Sequence, residues 1–375
     1  MASRIFGLSR RAATLAALGV VGALAAGLGA CATLATSSGG DANLPNAGLG
    51  PFRPLKAGEI GNSRPAPYGL RDDSSFERDV AVLDADGDPA TLGVVAYAAR
   101  TTFGAGVEPE PSAPPNEIVR HTALDGRSFD RGPPVVLAPA AAWEGGTVGA
   151  PAALEVAGEV YLYYAAAGGI GLARSADGVA FTREDAPVLG PASAGWDDGL
   201  VPRSPSVVRL PDGSFRMFYE VALAVDESAI GEAASADGLG WQRVGAAPVL
   251  ERRPELVDDL PAYDGASVGA PSAVLWATSE GRPVLGVYYA ATAEDGTRSI
   301  ALAARYGTDG ALARGLGPVF GSDGDLDPTE PCIVRFASFA LLYATERAGS
   351  AASQDFPAVA VGVAPATVTL PPPEW

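Results

Sequence analysis

Asp125-Gly126-Arg127-Ser128-Phe129-Asp130-Arg131, Asp177-Gly178-Val179-Ala180-Phe181-Thr182-Arg183 and Asp237-Gly238-Leu239-Gly240-Trp241-Gln242-Arg243 share one pattern: Asp-Gly, two residues, an aromatic, one residue, Arg. A Pro-Val run follows each, at Pro134-Val135-Val136-Leu137, Pro187-Val188-Leu189 and Pro248-Val249-Leu250. A fainter copy joins Asp309-Gly310 to Pro318-Val319-Phe320. A second element recurs in phase. Trp143-Glu144 leads to Val148-Gly149-Ala150-Pro151, Trp196-Asp197 to Val201-Pro202-Arg203-Ser204-Pro205, and Tyr263-Asp264 to Val268-Gly269-Ala270-Pro271. Asp327-Pro328-Thr329-Glu330-Pro331 is its last copy. Asp79, ahead of Val80-Ala81-Val82-Leu83, stands where the other copies have proline, which makes five units spaced 54 to 72 residues apart.

Within a unit the pattern is that of strands. Val160-Tyr161-Leu162-Tyr163-Tyr164 and Phe215-Arg216-Met217-Phe218-Tyr219 are short, aromatic-rich runs separated from their neighbours by Ala-Gly or Pro-Asp-Gly turns. The Asp-Gly pairs supply the positive-φ residue a tight turn requires, so Asp125, Asp177 and Asp237 read as turn formers. Four short antiparallel strands per unit, five times over and without an amphipathic helix, specify an all-β, five-bladed β-propeller. A β-sandwich would not show a fivefold phased motif. Trp143, Trp196 and Tyr263 recur in phase and read as blade packing. His121 lies on an outer strand before a turn and reads as a surface or packing residue.

Composition narrows the chemistry. Twenty-six Lys+Arg against 44 Asp+Glu give a formal net charge of −18, which excludes the basic surface that nucleic-acid binding needs. Lys56 is the only lysine and His121 the only histidine. Schiff-base chemistry, P-loops, histidine pairs and multi-histidine zinc sites are thereby removed from the candidates. Carboxylates remain, and no cofactor or metal is expected.

Residues 1–30 read as an export signal: Arg4, Arg10 and Arg11, then an apolar run of small residues ending in Leu28-Gly29-Ala30-Cys31. That ending resembles a bacterial lipobox, which implies lipidation of Cys31. The alternative is a transmembrane helix with an incidental cysteine, since the run is about nineteen residues long. Ser9-Arg10-Arg11 resembles a twin-arginine signal, and Sec and twin-arginine export both fit. Ala32 after the cysteine favours the outer membrane by the same resemblance. A lipidated Cys31 leaves Cys332 without an intrachain partner, so no structural disulfide is expected. Residues 31–66 read as a flexible tether rich in Ser, Gly, Asn and Pro, and residues 67–375 as the propeller.

In a propeller the first strand of each blade lines the channel, so the residues just before each repeated proline rim one mouth. They are Glu77 and Arg78 beside Asp79, then Gly149-Ala150, Arg203-Ser204, Gly269-Ala270 and Thr329-Glu330. Glu220, ending a second strand, leans toward the same mouth, and Asp72 and Asp73 are loop acids near it. The run Arg203-Ser204-Pro205-Ser206-Val207-Val208, with Pro211-Asp212-Gly213, Phe215-Arg216-Met217-Phe218-Tyr219, Ile230-Gly231 and Ser235-Ala236-Asp237-Gly238, resembles a blade of the family 43 glycoside hydrolases. The likeness extends to their invertase and levansucrase relatives. It covers roughly residues 67 to 370 and rests on scaffold residues.

The resemblance implies an Asp base in blade one, an Asp that tunes pKa in blade two and a Glu acid in blade three. Here the second and third positions are Gly149-Ala150 and Arg203-Ser204, with no acid, while Glu330-Pro331 matches the acid-plus-proline motif in the last blade. Two functions follow. In one, the funnel binds a carbohydrate or similar ligand, or a protein partner, without cleaving it, through Arg203, Glu220, Arg78 and Asp73, unless Arg203 is spent on pairing with Glu220 or Glu330. In the other, it hydrolyses a glycosidic bond with Glu330 as acid and Asp79 or Glu77 as base. Beside both stands a purely structural envelope protein without ligand.

Overall fold

The computed structural model describes residues 50–55 and 71–365, the latter interrupted at 73–74, 89, 105–106, 108–109, 111, 131–132, 255, 258–259, 278–281, 316, 322–325, 337–338, 348 and 350–357. The export signal, Cys31, Asp73 and most of the tether lie outside the described residues, as does the side chain of Asp72. No helix among the described residues is long and apolar enough to cross a membrane.

The chain folds as the five-bladed β-propeller that its repeat specifies. Blade 1 consists of Ser75–Asp84, Val94–Thr102, Glu117–Ala123 and Val135–Leu137, with Arg71–Asp72 added beside the inner strand. Blade 2 is Gly149–Val156, Glu159–Ala166, Gly169–Ser175 and Thr182–Arg183. Blade 3 is Arg203–Arg209, Phe215–Ala224, Glu227–Ser235 and Gln242–Val244. Blade 4 is Ser267–Ala277, Pro283–Thr292, Arg298–Tyr306 and Ala313–Arg314. Blade 5 takes Pro328–Arg335, Phe339–Glu346 and Ala358–Pro365 from the chain's end and its outermost strand, Arg53–Pro54, from near the beginning. The ring is thus closed by a piece of the stretch read as tether. Phe52 and Leu55, flanking that strand, are buried at 6% and 3% exposure.

Because every blade has a neighbour on both faces, its strands are apolar on both sides. Five hydrophobic clusters result, one at each blade interface. Between blades 1 and 2, for example, Ala81, Tyr97 and Ile118 meet Ala153, Leu162 and Tyr164. Cys332 is buried where blade 5 meets blade 1, and its sulfur accepts the Val82 N–H at 3.3 Å.

The two repeated motifs turn out to be halves of one device. Each aromatic-acid pair buries its carboxylate in the loop ahead of a blade, and the Arg of the Asp-Gly motif reaches it from that blade's outer strand. Glu144 accepts from Tyr164 at 2.7 Å and from Arg183 at 2.9 Å. Asp197 accepts from Tyr219 at 3.1 Å and Arg243 at 2.6 Å. Asp264 is met by Tyr289 and Arg314, both at 3.1 Å, and by Arg253 at 2.8 Å. The same arginines donate to the carbonyls of Ala138, Gly190 and Glu251, each directly after a Pro-Val run of the preceding blade. Trp143 stacks on Tyr164 and Trp196 on Tyr219, as expected of packing residues. The strand beside Tyr164 must carry glycine, because a Cβ on Gly171 would lie 2.4 Å from the ring.

The Asp-Gly turns behave as read. Asp177 Oδ1 accepts the N–H groups of Val179 and Ala180 at 2.9 and 2.8 Å, and these bonds hold its carboxyl down at about 2. The second strand of the preceding blade latches the turn carbonyl: Tyr97 on Gly178 at 2.9 Å, Tyr163 on Gly238 at 2.7 Å, and Tyr343 on Gly126 at 2.5 Å.

Candidate functional site

Each inner strand carries a β-bulge at its leading end. The bulged residue has left-handed backbone in all five blades: Asp79 (φ 52°), Ala150 (42°), Ser204 (47°), Ala270 (44°) and Glu330 (53°). This ring corrects the sequence alignment by one residue. Asp79 is the counterpart of Ala150 rather than of Pro151, and Val80 takes the proline's place. The five residues and the Val or Pro after each surround an axial cavity of about 40 Å³. Above it opens a funnel of about 1050 Å³ whose wall includes Arg78, Arg203, Glu220, Asp226, Glu294 and Arg298.

Of the acids singled out in the sequence, the fold brings Asp79, Glu330 and Glu220 to this funnel and places Glu77 elsewhere. Glu77 is 3% exposed and binds His121 Nε2 at 2.7 Å, beside the packed aromatics of the blade 1–blade 5 interface. His121, read as a surface or packing residue, is therefore a buried partner of that acid.

Arg203 and Glu220 form a pair. Nε and a terminal nitrogen of Arg203 donate to Glu220 Oε1 at 3.1 and 2.6 Å, and the other oxygen accepts the bulge N–H of Ala270 in blade 4 at 2.8 Å. Glu220 thus serves the neighbouring blade's bulge while neutralising Arg203, whose side chain is 48% exposed and open to the funnel. Thr345 occupies the corresponding place in blade 5: opposite Thr329 as Glu220 is opposite Arg203. Its Oγ1 accepts the bulge N–H of Asp79 at 2.9 Å, and its hydroxyl is close enough to the Glu330 carboxyl to pull that group's pKa down. One side chain therefore stands beside both ring acids. Thr345 escaped sequence reading because its kinship with Glu220 is positional, not chemical.

Asp79 is 8% exposed, and its Oδ1 accepts no hydrogen bond; neither does the buried Oε2 of Glu330. Desolvation pushes the Glu330 carboxyl above its ordinary range, against the opposing pull of the Arg78 charge, the Thr345 hydroxyl and Arg347. Desolvation likewise lowers the pKa of Arg78, which Glu330 opposes. Arg78 donates to the Ala113 carbonyl at 2.6 Å. Arg298 on the wall also has its pKa lowered by burial and by Arg347, with Asp327 and Asp226 acting the other way. Among the described residues no group of three or more His, Cys, Asp or Glu could hold a metal ion.

No protein-family model matches this sequence, and no curated protein matches it. Solved structures do match. A glycosyl hydrolase from Bacteroides ovatus superposes with a TM-score of 0.59 at 15% identity, over 88% of this chain and 99% of that one. A thermostable family-43 glycoside hydrolase gives 0.55 at 16% identity, over 82% and 100%. A family 117 glycoside hydrolase of the marine bacterium Zobellia galactanivorans gives 0.56 at 16% identity, over 85% and 90%. The chain has the five-bladed β-propeller fold found in glycoside hydrolases of families 43 and 117.

Proposed function

We propose that this protein is a carbohydrate-binding propeller of the bacterial envelope, anchored by a lipid on Cys31, whose funnel holds a glycan without cleaving it. The observation that carries the reading is the make-up of the ring. Blades 2 and 3 contribute Ala150 and Ser204, so the carboxylates that the hydrolase resemblance calls for at those positions are missing. The wall charge nearest blade 3, Arg203, is held by Glu220 and can offer its remaining N–H groups to sugar hydroxyls. A funnel of this volume suits a few sugar residues. Glycan-array binding with the secreted, purified chain is the test, run beside turnover of aryl glycosides. Specific glycan retention without turnover is the expected result; turnover abolishes the non-hydrolytic reading, and no retention on any glycan abolishes the carbohydrate reading.

One observation favours hydrolysis as a second reading. Glu330 has its carboxyl pushed up by desolvation, as a general acid requires, and shares the ring with Asp79. Under that reading Glu330→Gln lowers turnover by about 10²–10⁴ while glycan retention persists.

A further inference from the structure

The floor of the funnel is rich in hydrogen-bond acceptors and poor in donors. Four of the five ring residues precede a proline, Pro151, Pro205, Pro271 or Pro331, which has no N–H to offer. The bulge N–H of Ala270 is spent on Glu220, and that of Asp79 on Thr345. Ala150 and Ala270 contribute no polar side chain, and Ser204 a hydroxyl that can accept as well as donate. Against this stand Asp79 Oδ1 and Glu330 Oε2, two carboxylate oxygens without a hydrogen-bond partner. Arg78, next to the ring, supplies one positive charge against two carboxyl groups.

From this donor-poor, acceptor-rich floor we infer that the funnel recognises a glycan through a protonated primary amine, an amino sugar whose ammonium group enters the axial cavity between Asp79 and Glu330. The inference rests on the carbohydrate reading above and names the class of sugar. An ammonium group has three donors and no acceptor, the complement of what the floor presents. A sugar hydroxyl can donate one hydrogen bond to these oxygens, an ammonium group three and a charge besides. An N-acetylated amine would lose its charge and bring a carbonyl acceptor against the carboxylates. A calcium ion takes six to eight oxygen ligands, and the ring supplies two carboxylates. Thr345 holds the backbone of Asp79 through its Oγ1.

The test is calorimetric titration of the secreted, purified chain with a β-1,4-linked glucosamine tetrasaccharide and with its fully N-acetylated counterpart, at pH 6 in 0.15 M salt. The aminated sugar should bind at least tenfold more tightly. Asp79→Asn and Glu330→Gln should each erase that preference, by weakening binding of the aminated sugar more than that of the acetylated one. Asn tolerates left-handed backbone, so the first variant keeps the bulge, and circular dichroism checks that both fold. Glu155→Gln, an exposed charge on blade 2, should leave the preference intact; a loss there would assign it to the net charge of the protein and overturn the inference. Equal affinity for the two sugars also overturns it while sparing the carbohydrate reading, as does binding of neutral glycans alone. Binding of Ca²⁺ or Na⁺ that requires Asp79 and blocks the aminated sugar would mean the cavity belongs to a metal ion. Binding of no glycan defeats both readings together.

Discussion

His121 allows one interaction to be isolated with unusual clarity, because it is the only histidine in the chain. The residue is 2% exposed. Nε2 lies 2.7 Å from Glu77 Oε2, and Nδ1 lies 3.1 Å from the Asp130 carbonyl and 3.3 Å from its carboxylate. With an acceptor at each nitrogen, the doubly protonated ring is the form that satisfies both. Burial pulls its pKa down, but the Glu77 bond and charge and the two Asp130 contacts outweigh it, and the net shift is upward. The other groups packed on the ring are Phe129 and, beyond it, Tyr343, whose buried hydroxyl is held far above neutrality.

A histidine raised above its unfolded value of about 6.5 stabilises the fold fully below that pH, and the contribution is lost as pH rises through the folded pKa. The expected slope is at most about 1.4 kcal/mol per pH unit in that interval, and ordinary carboxylates do not titrate there. His121→Gln removes the charge and leaves Glu77 buried beside a neutral amide, a change of about 3–5 kcal/mol for a broken buried pair. Urea denaturation of both proteins from pH 5.5 to 9 measures this. Wild-type stability should fall above pH 6.5 relative to the variant, so that the gap is widest near pH 6 and narrows toward pH 9. An N-terminal amine titrates alike in both proteins and cancels in the difference. A gap that stays constant with pH would refute the charged pair, and a gap below about 1 kcal/mol at pH 6 would refute its burial cost.

The same partner accounting yields four more expectations. Glu220→Ala leaves the Ala270 N–H unpaired and should cost about 1–3 kcal/mol, whereas Glu220→Gln keeps an acceptor there and loses only a half-exposed ion pair, about 0–1 kcal/mol; thermal melts separate the two. Asp197→Ala strands Arg243 and Tyr219 and should cost about 3–5 kcal/mol in denaturant titration, with Asp197→Asn milder because it can still accept from both. Deleting residues 1–55 removes Phe52, Leu55 and the outer strand of blade 5, so the truncated chain should lose about 3–6 kcal/mol at roughly 1.5–3 per buried side chain relative to deletion of 1–48. Finally, a diacylglyceryl thioether on Cys31 and a disulfide at Cys332 exclude one another when these are the only two cysteines. Intact mass and thiol counting of membrane-extracted protein should show lipid and one free thiol; a disulfide with no lipid would overturn the anchor.

The propeller was legible because its two motifs recur in phase, and the turn role of Asp177 followed from chemistry confined to five residues. What could not be read were pairings across longer separations. Glu144 and Arg183 each belong to a visible motif, yet nothing in the chain says that they meet. The same holds for Glu77 with His121, where the sequence offered a free site residue and folding supplied its partner. The one-residue misplacement of Asp79 has a local cause: its unit lacks the proline that marks the register, and a bulge adds a residue that strand alternation does not foresee. Closure by Arg53–Pro54 left no trace, since two residues carry no repeat.

The bulge ring separates what the fold demands from what the ligand demands. All five ring residues adopt left-handed backbone, which costs a residue with a Cβ about 1–2 kcal/mol, so the strain cannot by itself mark a functional position. Ala150 and Ala270 bear it with no chemistry to show for it. The information lies in the substituents. Asp enters this conformation more readily than most residues, but Glu has no such dispensation, and a glycine at position 330 would relieve the strain and remove a desolvated carboxyl at once. Alanine, as in blades 2 and 4, would do the latter without disturbing the bulge. A carboxyl kept at that position, with one oxygen buried and lacking a donor, is costly to the fold and explicable by what enters the funnel. Asp79→Ala and Glu330→Ala should therefore leave the propeller as stable as the parent or more so while weakening ligand retention, and melts beside binding isotherms decide it. Destabilisation by more than about 1 kcal/mol, outside the range usual for structurally unimportant sites, would return the ring acids to the scaffold.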